Sequence, residues 1–197
     1  MSDKIRALRE GKRFVYIHND LSTAAWYFKE RFEEKLKKGE RDGIAFDIMA
    51  CLVMLAFTFE AKLNFLGDRL IEDWNERMAF DKKVSTVFDH LKIARDEKQR
   101  PYSSMELLKQ FRDTLAHGKP IKEEFSEIVE GKPEELDRRI DLSGAWEKDC
   151  NEDVARAASE DLDIIWKDLI KAAGLNIYDT MHQGEGGLTF IERLVDG

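Results

Sequence analysis

The chain has only two cysteines, Cys51 and Cys150, which is too few for a disulfide framework. A small, stapled, secreted scaffold is thereby excluded. Cys51 lies in an apolar run and reads as a small buried hydrophobe. Only three prolines and 12 glycines interrupt 197 residues, which disfavours a turn-rich β fold and leaves room for long helices. The longest apolar run, Ile48–Phe59, is broken once by Thr58 and flanked by Asp47 and Glu60. That is too short to span a bilayer, so no membrane partner is expected and the run reads as a buried central helix. The first residues are charged and lack the apolar core of a leader peptide, so the cytoplasm is the expected compartment. No Cys/His zinc spacing and no Glu-x-x-His pair is present, and the Gly-Lys-Pro at Gly118 and at Gly131 lacks the rest of a phosphate loop. No Ser or Cys nucleophile motif appears. The expectation is no metal and no cofactor. Asp179 and His182 have the spacing of a ligand pair but read as surface residues on a Gly-rich tail.

What remains is a helical chain with a real core. The hydrophobic fraction is 43%, enough for one globular domain. Leu21, Ala25, Phe28, Phe32 and Leu36 form a stripe at helical spacing over 21–38, and charged residues fill the opposite side. A second helix starts near Gly43 and runs at least to Leu66, apolar nearly all round. Val84, Val87, Phe88 and Leu91 mark a third over 82–93, and Val154, Ala158, Leu162, Ile165 and Leu169 mark a last one over 153–173. Residues 1–20 read as a basic arm, helical or irregular. The reading is an all-α bundle of four or five helices in one domain, residues 1–197. Its core covers about 20–173, with an acidic surface insertion at 122–150 and a tail at 174–197.

One helix carries chemistry. In Met105–Pro120 the residues Leu108, Phe111 and Leu115 share a face, Ser103 or Ser104 can cap the start, and Gly118 with Pro120 forces a stop. His117 therefore stands at the helix C-terminus. Arg112 lies five residues earlier and Asp113 follows it directly. Five residues advance an ideal helix by about 500°, so Arg112 and His117 splay by roughly 140°. They do not converge on one small group unless the last turn distorts or a second copy completes the site. The net charge of −8 argues against a general nucleic-acid coat, yet Lys92–Lys122 holds eight Lys/Arg against four Asp/Glu. That local basic patch, with Lys109 and Lys119 in it, suits a phosphate backbone.

The Arg112–Asp113–His117 arrangement, in the text FRDTLAHG, resembles the R-x4-6-H signature of the HEPN superfamily, small helical domains that include many ribonucleases. The text FEAKLN on the preceding long helix, with Glu60 and Asn64 one turn apart, resembles a polar pair of some of these domains. The resemblance implies a homodimer pooling two Arg and two His in one cleft. It implies metal-independent cutting of single-stranded RNA by 2′-hydroxyl attack, leaving a 2′,3′-cyclic phosphate. His117 would be the acid or base, Arg112 would stabilise charge on the phosphate, and Asp113 would orient one of them. Lys109, Lys119, Glu60 and Asn64 are expected to border the substrate. A toxin or host-defence role, with an antitoxin or defence partner, is also implied. One departure is Lys119, where the HEPN toxins paired with nucleotidyltransferase antitoxins often have Tyr.

The residues also admit plainer readings. A His at a helix C-terminus interacts well with the dipole. Arg112 can simply pair with Asp113 or Glu106, and Glu60 and Asn64 can be ordinary helix-surface groups. The competing class is a catalytically silent dimeric binding or adaptor module, and behind it a plain helical interaction protein.

Overall fold

A computed structural model describes residues 4–120, 122, 124, 126–132, 136 and 143–194. Its elements in chain order are β1 (Ile5–Phe14), α1 (Ile17–Lys38), α2 (Ile44–Leu70), α3 (Phe80–His90), α4 (Ser103–His117), α5 (Glu152–Ala172) and β2 (Gln183–Arg193). Short 3-10 turns occupy Ala145–Lys148 and Ile177–Thr180.

α2 is the axis. Ile48, Cys51, Leu52, Leu55, Phe59, Leu63 and Leu66 are buried along it, against Phe32 of α1, Val84, Val87 and Phe88 of α3, Leu108 and Phe111 of α4, and Leu162, Ile165 and Leu169 of α5. Cys51 is fully buried and its thiol is pushed up to about 12 by that burial, against a small opposing effect of Lys29. With 27 residues, α2 is long and apolar enough to cross a membrane by length and composition. Here it is sheathed by the other helices on one side only. On the other, Phe46 is 72% and Phe57 39% exposed, with Ala50 and Val53 half-buried between them.

Helix ends follow the local chemistry. Gly39, at φ 72°, takes the left-handed position after α1 and its N–H reaches Leu36 O. Asn151 caps α5 by accepting from Val154 N at 3.0 Å. The expected serine cap on α4 does not form. Ser104 Oγ instead donates to Asp161 of α5 at 2.5 Å, and Arg100 Nε donates to the same carboxylate at 2.9 Å. Asp161 is buried, so these bonds fix the start of α4 against α5.

The all-α expectation is overturned. The chain is 59% helical and adds a two-stranded antiparallel sheet, so its class is mixed. β1 replaces the expected helical or irregular arm, and β2 replaces the tail. Ile5 pairs with Arg193, and the register runs to Phe14 opposite Gln183, with a bulge at Ile191. Neither strand buries a face, so neither carries the period-2 alternation that marks a half-buried strand. The three glycines of β2's segment, Gly184, Gly186 and Gly187, also weaken any strand signal. Of the insertion, residues 123, 125, 133–135 and 137–142 lie outside the described residues, and the surface helices expected there are decided only at the Ala145–Lys148 turn.

His18 closes the base of this ribbon. Its Nε2 donates to Thr180 O at 3.1 Å, and its ring packs on Phe65 and Trp166 at 5.0 and 5.6 Å. Burial first, then the charge of Lys62, lowers its pKa from 6.5 to about 4. The unfolded chain therefore takes up a proton below pH 6.5 that the folded chain refuses until about pH 4. Stability from this group is complete above pH 6.5 and is lost as pH falls through that window. Between pH 7 and 5 the loss is about 2 kcal/mol. Urea midpoints at the two pH values check it: wild type should lose that much more than His18→Gln, and equal losses would show that His18 is not the group responsible.

Candidate active site

α2, α3 and α4 bring one charged chain together. Glu60 of α2 accepts from Lys83 Nζ at 2.6 Å through Oε1 and from Arg112 Nη1 through Oε2. Arg112 Nε and Nη2 donate to Asp113 Oδ1 at 3.0 and 2.7 Å. Lys109 Nζ stands 3.6 Å from the other oxygen of Asp113. The order is cation, anion, cation, anion, cation. Phe57 lies against the group, its ring centroid 6.0 Å from the Arg112 guanidinium carbon.

The electrostatics follow from that order. Burial raises the Glu60 carboxyl, but the bonds and charges of Lys83 and Arg112 outweigh it and hold Glu60 below the usual carboxylate range. Asp113 behaves the same way: burial pushes it up, and Arg112 brings it down, with Lys109 and His117 adding smaller effects. Arg112 is opposed by burial and supported by Asp113 and Glu60, and it ends above its ordinary value. The guanidinium has five N–H donors, and these three bonds engage three. Its remaining two donors bond no described residue, and the side chain is 18% exposed. A planar fork fixed by two carboxylates, with donors left over, suits a phosphoryl oxygen.

His117 belongs to a separate hollow. It is exposed at the end of α4, and with Thr114, Leu115, Gly118, Lys119 and Trp146 it lines a space of about 340 Å³. Trp146, from the insertion, reaches there by packing its ring edge-on to Phe111 at 6.0 Å. α4 keeps helical geometry to His117 and the last turn does not distort, so the splay of Arg112 and His117 stands. Of the residues singled out in the sequence, Glu60, Lys109, Arg112 and Asp113 meet, and His117 meets Lys119. Asn64 joins neither group. Its Oδ1 is buried with no partner among the described residues, and nothing in the structure explains it.

Sequence reasoning missed Lys83 and Trp146. Lys83 looks like a surface lysine at the start of α3, yet its side chain is 2% exposed. Its signal is only retrospective: it is the cation nearest Glu60. Asp179 and His182 do not act as a pair. Asp179 accepts from Asn176 N at 2.9 Å, and His182 Nδ1 accepts from Tyr16 N at 3.0 Å, so both hold the ribbon's base. Among the described residues no cluster of His, Cys, Asp and Glu is arranged to hold a metal ion. No family model, curated protein or solved structure matches this chain.

Proposed function

We propose that the chain is a metal-independent endoribonuclease that works as a homodimer, with chemistry of the HEPN kind. The observation that carries this reading is the fixing of Arg112 between Glu60 and Asp113 with two donors unengaged, while His117 stands exposed on the other flank of the same helix. One chain does not bring the two together. The working pair is then Arg112 of one copy and His117 of the partner subunit.

A seam for that partner lies beside Arg112. Phe46, Ala50, Val53 and Phe57 recur at 0°, about 40°, about −20° and about 20° around α2, a single exposed stripe that ends at the guanidinium. A second copy seated on it would bury apolar surface and face the two α4 helices across a two-fold axis. In the cleft, one His117 removes the proton from a ribose 2′-hydroxyl. The 2′-oxygen bonds to the adjacent phosphorus, Arg112 stabilises the added charge, and the bond to the 5′-oxygen breaks. Water supplies the proton to that leaving oxygen, and the imidazole gives up its own to solvent. The products are a 2′,3′-cyclic phosphate and a 5′-hydroxyl. A toxin or defence role rests on the sequence resemblance alone.

A second reading has its own observation. A guanidinium clasped by two carboxylates is also what a structural ion network looks like, and that favours the silent binding module. One assay separates them. Single-stranded RNA incubated with purified protein in excess EDTA should be cut, with cyclic phosphate ends found by mass spectrometry, and the matching DNA should stay intact for want of a 2′-hydroxyl. Cleavage that needs a metal, or that cuts DNA equally, overturns the chemistry. RNA left whole under every condition passes the case to the silent module.

A further inference from the structure

The ribbon is the part of the molecule that the proposed chemistry leaves unused. Ten residues of strand make an arm about 33 Å long. Its base is Phe14 opposite Gln183, and its far end is Ile5 opposite Arg193. An isolated two-stranded ribbon is marginally stable at best, and this one is exposed along nearly its whole length.

Its two faces differ. Paired residues share a face, and alternate residues along a strand share it too. One face carries Arg6, Leu8, Glu10, Lys12 and Phe14 with Glu192, Thr189, Gly187, Glu185 and Gln183. Its charges are matched across the strands: Arg6 pairs with Glu192 at 2.6 Å, and Lys12 stands opposite Glu185. The other face carries Ile5, Ala7, Arg9, Gly11 and Arg13 with Arg193, Phe190, Leu188, Gly186 and Gly184. It has three arginines and no acid, on a chain whose net charge is −8. Phe190 is 58% exposed on it.

Toward the ribbon's base this second face is largely bare backbone. A Cβ on Gly11 would meet Glu185 O at 2.4 Å, and one on Gly186 would meet Glu10 O at 2.9 Å, so the strands themselves require those two glycines. Gly184 is different. The nearest atom to a Cβ there is Lys12 O at 3.7 Å, and its backbone is not left-handed. Glycine weakens a strand, so Gly184 here, like Gly187 on the other face, leaves backbone bare at the ribbon's own cost, and it is the charge of this face that sets it apart. A hollow of about 690 Å³ runs along residues 9–13 and 185–188.

We propose that this face is a landing track for single-stranded RNA, with Arg9, Arg13 and Arg193 on backbone phosphates, Phe190 stacked on one base, and the floor of Gly11, Gly184 and Gly186 admitting the strand nearer the ribbon's base. Unpaired arginines beside an exposed aromatic ring are what single strands bind: phosphates take the charge, and any base offers a π-face. The choice of RNA among polyanions rests on the ribonuclease reading. The track also leads the right way. Tyr16, just after β1, packs on Phe65 with ring centroids 4.9 Å apart, and Glu60 stands five residues earlier on α2, about 7.5 Å along the axis.

The test uses the full chain and a fluorescein-labelled 2′-O-methyl RNA of roughly 12 nucleotides, read by anisotropy. That RNA lacks the attacking hydroxyl, so binding is measured apart from cleavage. The triple variant Arg9→Ala, Arg13→Ala, Arg193→Ala should bind at least about tenfold more weakly, and its log K against log salt slope should shrink by about 2. Phe190→Ala should lose about fivefold or more with the slope unchanged. The opposite-face variant Arg6→Ala, Lys12→Ala should stay within about twofold of wild type. All these side chains are exposed, and unchanged circular dichroism confirms that the variants fold. The proposal is overturned if the triple variant binds with wild-type affinity and slope, or if the opposite-face variant loses as much. It is also overturned if the triple variant keeps RNA but loses anionic phosphatidylglycerol vesicles, or keeps RNA but falls from dimer to monomer in light scattering. Ribbon-dependent binding without cleavage of ordinary RNA refutes the nuclease reading alone, and cleavage with no ribbon effect refutes the track alone.

Discussion

Replacing His117 by alanine should lower the rate of RNA cleavage by about 10²–10⁴-fold, the usual contribution of a positioned acid or base. The size of the effect is set by its role. In the proposed reaction the imidazole of each Arg112–His117 pair takes the 2′-hydroxyl proton, so the substitution removes that transfer from both pairs of the dimer. The fold should not notice. His117 is exposed, ends α4 and makes no hydrogen bond among the described residues, so stability should change by no more than about 0.5 kcal/mol. Gly118 and Pro120 still stop the helix without it. Initial rates on a labelled single-stranded RNA in EDTA, beside a thermal melt, measure both quantities. Undiminished cleavage by His117→Ala would remove the imidazole from the mechanism. A large loss of stability would mean that His117 serves the fold.

The helices were legible because each carries a stripe that only burial explains. Phe32 on α1, Leu63 on α2, Phe88 on α3, Phe111 on α4 and Leu162 on α5 lie where helical spacing puts them, and all are buried. Arg112 and Asp113 were legible because Gly118 and Pro120 fix the end of their helix. The clasp of Arg112 by Glu60 was not, because the two are 52 residues apart and meet only once α2 and α4 have packed. Lys83 was hidden for the same reason: a lysine in a polar stretch reads as solvated until its carboxylate partner is known. The ribbon was hidden most completely. Its strands sit at opposite ends of the chain, and each is exposed on both faces. Strand pairing there is a purely long-range event, with no local hydrophobic period to announce it. Ser104 misled in a smaller way. Serine before an apolar run signals a cap, yet the buried Asp161 on α5 is the stronger acceptor.

The second large effect concerns the partner copy. Arg112→Ala should abolish cleavage as thoroughly as His117→Ala does, because the added charge on phosphorus then loses its only fixed fork. The network left behind remains paired: Glu60 has Lys83 at 2.6 Å and Asp113 has Lys109 at 3.6 Å, so the helices and the proposed dimer should persist in the variant. Each variant alone retains one half of the pair. If Arg112 of one copy works with His117 of the partner subunit, a mixed dimer of the two variants rebuilds one of two working pairs. Random assortment makes half the dimers mixed, so a co-refolded equimolar mixture should recover about a quarter of the wild-type rate. The decisive measurement is that rate, in EDTA, against each variant alone. Recovery to about a quarter is the result the composite site requires, and a mixture as inactive as its two components would contradict it.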